Sequence, residues 1–314
     1  MLLISFQRIQ LSFLLDWFFV FLVTIGTGIL SFVSPFERQF RIDDETISHP
    51  YVDDEMFSGL ELALSGVVFP VLVISFYHLF NRDLKYAFHQ AIMGICVSVT
   101  LCLFVTTLIK VSVGRFRPDF ISRCQVNITK VEEIYKSYNI SNQISFGPRN
   151  LYNTTICTNT NKFRLDEGRR SFPSGHTAFA FSSLTYTSLF LAGKLHLFDG
   201  NFILWKLIMV IIPNLLALFI GFTRLIDYRH HWQDVVVGGI LGILFSSLSY
   251  FYYFPSLTSP EPHIPLQGRL RKYNVYQDHP GKTLPIFRDK NKNNEDYISL
   301  SLLSNEEEES KQSK

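Results

Sequence analysis

Six apolar runs, each near the roughly 20 residues that cross a hydrocarbon core, govern what this chain can fold into. They cover Phe13–Val33, Leu60–Phe80, Ala87–Ile109, Thr177–Ala192, Ile203–Phe222 and Val235–Phe254. A lone strand in lipid leaves its N–H and C=O groups unsatisfied, so each run reads as a helix. The expected fold class is therefore all-α, a six-helix transmembrane bundle. The first run is too long for a signal-peptide core and lacks a convincing cleavage site, so it reads as retained. Hydrophobic residues at 47% and 30 Phe agree with lipid as the main solvent. A net charge of +2 is too small to argue for a nucleic-acid partner.

Six spans put both termini on one side. The connections Asn81–Tyr86 and Gly193–Asn201 carry Arg82, Lys85 and Lys194, and the C-terminal segment carries Arg269, Arg271 and Lys272. The positive-inside tendency assigns these to the cytosol. The opposite side receives an acidic first loop (Asp43, Asp44, Glu45, Asp53, Asp54, Glu55) and a long loop, 119–170, between the third and fourth spans. That loop holds the glycan-acceptor tripeptides beginning at Asn127, Asn139 and Asn153. It also holds Cys124 and Cys157, which an oxidising lumen would pair. The expected organisation is a membrane domain over 1–255 and a disordered cytosolic tail over 256–314, where Pro, Asn, Lys and Glu rise.

Three polar stretches end apolar runs on the predicted outer face. In the third, TRLIDYRHHWQD, His230 and Asp234 are four apart, one turn of a helix that begins near His230. A carboxylate accepting from one ring nitrogen fixes the tautomer and leaves the other nitrogen nucleophilic. Arg224 supplies a fork for two phosphate oxygens, and His231 is assigned no role. Taken alone, this stretch also reads as an interfacial polar cluster. A metal site on His-x3-Asp is disfavoured by the nearby cations, so no metal and no cofactor is expected. In the second stretch, FPSGH, Ser174 and Gly175 precede a helix whose free N–H groups favour an anion, and His176 is placed to protonate a departing oxygen. An ordinary N-cap is the plainer reading. In the first, KVSVGRFRP, Lys110 and Arg117 are two cations at a span end, which also suits snorkelling. Arg115 and Arg123 read as flanking charges.

Together K-x6-R-P at Lys110–Pro118, P-S-G-H at Pro173–His176 and R-x5-H-x3-D at Arg224–Asp234 resemble the three-part signature of the type 2 phosphatidic acid phosphatase superfamily. The surrounding GRFRPDF, EGRRSFPSGH and DYRHHWQDVVVG are similar to the phospholipid phosphatase branch related to diacylglycerol pyrophosphate phosphatases. Thr223 stands where Ser commonly precedes the arginine. The resemblance implies His230 as nucleophile, Asp234 as its orienting partner and His176 as general acid. It implies Lys110, Arg117, Ser174, Gly175 and Arg224 as phosphate ligands. The implied reaction is metal-independent hydrolysis of lipid phosphates (phosphatidic acid, lysophosphatidic acid, diacylglycerol pyrophosphate) through a phosphohistidine. The expected location is the endoplasmic reticulum or plasma membrane, with the active site lumenal or extracellular. The alternatives are a phosphatase for sphingoid or small soluble phosphates and a non-catalytic membrane scaffold of the same fold.

Overall fold

The computed structural model describes residues 2–80, 85–141 and 151–266, and Leu11–Gln267 form one compact unit. Helix α1 is Leu2–Phe32. Helices α2 (Gly59–Ala63) and α3 (Phe69–Phe80) run on through a π-helical turn at Leu64–Val68. Then come α4 (Lys85–Val113), α5 (Phe120–Cys124), α6 (Ile128–Ser141), α7 (Lys162–Gly168), α8 (Gly175–Lys194), α9 (Leu204–Ile226) and α10 (Trp232–Tyr253). Among the described residues no strand forms beyond two isolated bridges.

Among the described residues five helices are long and apolar enough to cross a membrane: Phe13–Phe32, Gly59–Phe80, Ala87–Val113, Leu204–Ile226 and Trp232–Tyr253. The run expected as the fourth span, Thr177–Ala192, lies in α8 and is not among them. The reason is its position. Helix α8 packs against α4, α9 and α10, and its small and hydroxyl side chains are almost all buried. A helix surrounded by protein needs no lipid-facing Leu or Phe, and small residues let its neighbours approach closely. Its hydroxyls and backbone then bond between helices. Thr185 Oγ1 donates to Asn214 Oδ1 at 2.8 Å, Ser98 Oγ to the Ser182 carbonyl at 2.8 Å, and the Ser183 hydroxyl to the Gly66 carbonyl in the π turn. The outward faces of α1 and α9 carry exposed Phe18, Phe21, Leu204 and Leu215, as a lipid boundary requires.

The chain reverses at each connection, which gathers the C-terminal ends of α4 and α9 with the N-terminal ends of α8 and α10. Over that end lies a small second core of Phe40, Ile47, Phe116, Phe120, Tyr152 and Ile156, drawn from the α1–α2 and α4–α8 connections. Phe40 and Tyr152 exchange backbone hydrogen bonds at 2.8 Å each way, and a Cys124–Cys157 disulfide with Cα atoms 4.7 Å apart closes the second loop. Gly114 lets the first loop dock. It has φ +59°, and a Cβ there would lie 2.0 Å from the Phe36 carbonyl oxygen. Of the glycan-acceptor residues, Asn127 caps α6 by accepting from Lys130 N at 3.2 Å, Asn153 is exposed, and the Asn139 side chain lies outside the described residues.

At the opposite end the domain boundary must be moved. Residues 256–266, expected as the start of a disordered tail, pack back on the bundle. Leu266 N donates to the Tyr253 carbonyl at 2.8 Å and Gln90 Nε2 to the Leu266 carbonyl at 3.2 Å. Lys194 Nζ, over the rings of Tyr77, Phe190 and Phe254, donates to the His263 carbonyl at 2.5 Å. The reason is that Pro262 and Pro265 are buried, so this piece carries apolar contacts that its polar composition conceals. The rest of the predicted tail, with Arg269, Arg271 and Lys272, lies outside the described residues, as does Arg82.

The contact between α8 and α10 depends on Gly238, where a Cβ would lie 2.6 Å from the Ser174 carbonyl oxygen. Gly238→Val should therefore lower stability by about 1–3 kcal/mol or more, the cost of overpacking. Gly28→Ala, where an added Cβ meets nothing within 4 Å, should leave it unchanged or slightly raised. Thermal unfolding of both variants in detergent tests the pair; equal midpoints would contradict the close approach.

Candidate active site

Each of the three stretches reaches this end from a different helix. Lys110 sits in the last turn of α4, and its Nζ donates to the Arg170 carbonyl at 2.8 Å. It passes directly over the start of α8: a Cβ on Gly175 would lie 3.4 Å from Lys110 Cε. Ser174 is the N-cap of α8, accepting from Thr177 N at 3.5 Å and from Thr177 Oγ1 at 3.0 Å. Ser174 N donates to the Asp234 carbonyl at 2.9 Å, which fastens the second stretch to the third. Arg224 occupies the last turn of α9 and is fully buried.

His230 is buried, but its ring is not held as expected. Its Nδ1 lies 2.6 Å from the Ser171 carbonyl and 3.8 Å from Asp234 Oδ2. Helix α10 begins only at Trp232, so His230 lies before the N-cap and does not share a helical face with Asp234. A carbonyl can only accept, so Nδ1 carries the proton and Nε2 keeps its lone pair. Burial pushes the imidazole well below its ordinary pKa; Asp234 opposes that, and the charges of Lys110 and Arg117 add to it. His230 is therefore neutral at physiological pH.

Asp234 instead organises the turn around the histidine. It accepts from Ser171 Oγ at 2.5 Å, Arg115 Nη1 at 2.7 Å and His231 N at 3.0 Å, with His231 Nδ1 at 3.3 Å. Arg115 Nη2 also reaches Gln233 Oε1 at 3.3 Å. Three residues given no role by the spacing thus belong to the site: Ser171, Arg115 and His231, which caps α10. Their signal was adjacency to the motifs, since each lies within or next to a motif stretch.

His176 completes the group. It is half-buried in the first turn of α8, its Nε2 is buried with no hydrogen-bond partner, and the charges of Arg224, Glu55, Arg117 and Lys110 all act on it. Arg117 is held by its backbone N to the Gly168 carbonyl at 2.8 Å and by Nη1 to Glu167 Oε1 at 2.9 Å, while its buried Nε has no partner. Glu167 also takes Arg123 Nη1 at 3.0 Å, and Arg123 is locked to Asp119 at 2.8 and 2.9 Å. Among the described residues no group of three His, Cys, Asp or Glu side chains is arranged to hold a metal ion.

The first loop closes over the third stretch. Tyr51 lies against the guanidinium groups of Arg123, Arg164 and Arg229 at 4.1–4.7 Å. His49 stacks on Tyr228 at 4.4 Å, and Met56 N donates to Asp227 Oδ2 at 3.1 Å. Glu55 meets Arg224 Nη1 at 2.6 Å and Arg229 Nη2 at 3.1 Å. No motif pointed to this loop, which is distant in sequence and marked only by its acidity.

Five helices fit to cross a membrane, with a buried cation-rich cluster at one end of the bundle, define a multi-pass membrane protein with a polar centre at a span end. The chain belongs to the PAP2 superfamily, whose family model matches residues 91–257. It is 34% identical over 269 residues to lipid phosphate phosphatase 2 of Arabidopsis thaliana, covering 85% of this chain and 87% of that protein. It is 36% identical over 225 residues to probable diacylglycerol pyrophosphate phosphatase 1 of Schizosaccharomyces pombe, with coverage of 71% and 74%. It is 32% identical over 255 residues to diacylglycerol pyrophosphate phosphatase 1 of Saccharomyces cerevisiae, with coverage of 80% and 83%. No solved structure gives a significant match.

The carboxylates around the cluster make its stability depend on pH. Burial favours the neutral acid of Glu167, but Arg117 and Arg123 outweigh it and hold its carboxyl at about 2. A carboxyl depressed in the folded state stabilises above its unfolded value, near 4.3, and that contribution is lost as pH falls toward 2. Because Glu167 is a third exposed, the contribution is on the order of 1 kcal/mol after solvent screening. Thermal scans should show wild type more stable than Glu167→Gln at pH 6, the gap closing between about pH 4.5 and pH 2. A gap independent of pH would contradict the ion-pair account.

Proposed function

We propose that the protein hydrolyses lipid phosphate monoesters without a divalent cation, by way of a phosphohistidine on His230. The single observation that carries this reading is the buried His230, whose Nδ1 is fixed on the Ser171 carbonyl at 2.6 Å, which leaves the ring's lone pair on Nε2. In the first step the Nε2 lone pair forms a bond to phosphorus as the bond from phosphorus to the glycerol oxygen breaks. The departing oxygen takes a proton from His176, leaving diacylglycerol. In the second, water attacks phosphorus, His176 takes its proton, and the P–N bond breaks to release phosphate. Lys110, Arg117, Arg224, the Ser174 hydroxyl and the Gly175 N–H hold the charge on the transferring group, the part that Mg²⁺ plays in many phosphoryl transfers. Asp234 acts on His230 through Ser171 and the turn.

Phosphatidic acid, lysophosphatidic acid and diacylglycerol pyrophosphate all bring a phosphate to a membrane surface while their acyl chains stay in lipid. The names of the lipid phosphate and diacylglycerol pyrophosphate phosphatases to which the chain is similar support this class. We place the site on the lumenal or extracellular side of the endoplasmic reticulum or plasma membrane, with α8 as the sixth span and both termini cytosolic. The disulfide, the acidic first loop and the acceptor residues Asn127, Asn139 and Asn153 support that placement.

Purified protein in phosphatidic acid micelles with excess EDTA should release phosphate, and His230→Ala should be slower by at least about a thousandfold. Brief incubation with lipid labelled in its phosphate should leave label on the wild type that is labile to acid and stable to base, the signature of phosphohistidine. Hydrolysis by His230→Ala, or activity that EDTA abolishes and one metal restores, would overturn the mechanism.

Ser171→Ala should lower kcat about tenfold or more with little change in KM, because the hydroxyl that ties Asp234 to the His230 support is lost while the phosphate ligands remain. Steady-state kinetics on phosphatidic acid micelles decides it. A change confined to KM would place Ser171 among the binding groups instead.

A further inference from the structure

Arg224 comes to the proposed phosphate site with its donors already taken. A guanidinium has five N–H groups. Here Nε points to Thr223 Oγ1 at 3.2 Å, one Nη1 hydrogen goes to Glu55 Oε2 at 2.6 Å, and Nη2 serves the Phe57 carbonyl at 2.7 Å and Asp227 Oδ2 at 3.0 Å. A single Nη1 hydrogen is left. Gripping a phosphate with a guanidinium fork takes two parallel N–H bonds, so one of these partners must leave.

The partners differ in how firmly they are held. Thr223 is the neighbouring residue, and the Phe57 acceptor is main chain. Asp227 is nearly buried at the end of the same helix and also takes Met56 N. Glu55 is 28% exposed, comes from the outer loop and meets Arg224 from outside the bundle. Arg117 offers the contrast: Glu167 occupies its Nη1, and its buried Nε has no partner, so it can receive an oxygen without losing anything. Arg229, the other partner of Glu55, would stay in place without it, held by the Val52 carbonyl at 2.9 Å and the Tyr51 ring at 4.7 Å.

We propose that Glu55 is a displaceable counter-ion, occupying the place of the substrate phosphate on Arg224 in the free protein and returning there when product phosphate leaves. The proposal rests on the reading of Arg224 as a phosphate ligand. Burial favours the neutral acid, yet Arg224 and Arg229 keep the Glu55 carboxyl below the usual range, so it is a carboxylate at neutral pH. It is then the same kind of ligand as the phosphate, competing for the same donors. Its return replaces water as the partner of a buried guanidinium, which favours release of inorganic phosphate. The specificity consequence is that only an anion richer in charge than one carboxylate takes the site, which favours phosphate monoesters and pyrophosphates over fatty-acid carboxylates and phosphodiester headgroups.

The test is competitive inhibition by inorganic phosphate, together with KM for phosphatidic acid, in detergent micelles of the full-length protein. Glu55→Gln and Glu55→Ala should each lower the Ki for inorganic phosphate about tenfold, the ratio that corresponds to about 1.4 kcal/mol, and lower KM in the same direction. Glu55→Asp separates contact from distant charge, since it keeps the carboxylate on an arm too short for Arg224. It should behave like Glu55→Gln. If Glu55→Asp matches wild type while Glu55→Gln does not, charge alone is acting and displacement is wrong. An unchanged or raised Ki in Glu55→Gln and Glu55→Ala also overturns it. Arg224→Gln tells this failure from failure of the site reading: a raised Ki there leaves the site standing and condemns Glu55 alone, whereas an unchanged Ki removes Arg224 from the phosphate site and the proposal with it.

Discussion

The arrangement depends on one constraint, the cost of gathering like charges in a place from which water is largely excluded. Arg123 and Arg224 are fully buried, and Arg117 and Arg229 are nearly so. Lys110 stands close enough for the charge of Arg117 to act on it. Taking such ions out of water costs several kcal/mol each unless opposite charges and hydrogen bonds meet them. The α1–α2 and α4–α8 connections supply part of that compensation, and the end of α9 and the start of α10 supply the rest. Asp119 and Glu167 hold Arg123 and Arg117, Glu55 and Asp227 hold Arg224, and Asp234 holds Arg115. Without these carboxylates the cations would repel one another and draw in water. The disulfide and the small aromatic core beneath the loops keep the carboxylates where they are needed.

The same constraint explains the character of the membrane helices. Charges that cannot sit in lipid are confined to helix ends, and the ends must be brought together by helices that approach closely. This accounts for a central helix rich in Ser, Thr, Ala and Gly, and for Gly238 opposite the Ser174 carbonyl. Apolar bulk is displaced to the outward faces, where lipid accepts it. Close approach of α8 and α10 in turn lets Ser174 N reach the Asp234 carbonyl, joining two motif stretches by a main-chain bond.

Much of this was legible in the sequence. The apolar runs gave the helices, and the spacing of Lys110, Arg117, His176, Arg224 and His230 marked residues that the bundle does bring to one end. What could not be read was governed by contacts between distant segments. The four-residue spacing of His230 and Asp234 suggested a direct pair. The helix starts two residues later than that reading needs, and the Ser171 carbonyl takes the ring nitrogen instead. Likewise Thr177–Ala192 reads as a span in the sequence, whereas its small and hydroxyl side chains pack against α4, α9 and α10, a setting that only the fold reveals. Glu55 and Tyr51 carry no motif, because their meaning lies in arginines far along the chain. Residues 256–266 have the composition of a tail, and only their two buried prolines say otherwise.

The saturation of Asp234 suggests a division of labour in the chemistry. A carboxylate that already accepts from Ser171, Arg115 and the His231 amide has little capacity left to take a proton, and moving any of these donors would expose a buried charge. Its contribution to a reaction at His230 is therefore positional. It pins the Ser171 side chain, the Ser171 carbonyl pins the imidazole, and in the proposed mechanism the imidazole would keep one tautomer through both steps. Proton traffic in that mechanism would fall to His176, whose Nε2 has no partner among the described residues. With both histidines close to Lys110 and Arg117, a bound phosphate would neutralise the surrounding positive charge and make protonation of His176 easier at the moment a leaving oxygen needs a proton. In the proposed mechanism the same cations that disfavour a charged imidazole would thus couple substrate binding to the arrival of the catalytic proton.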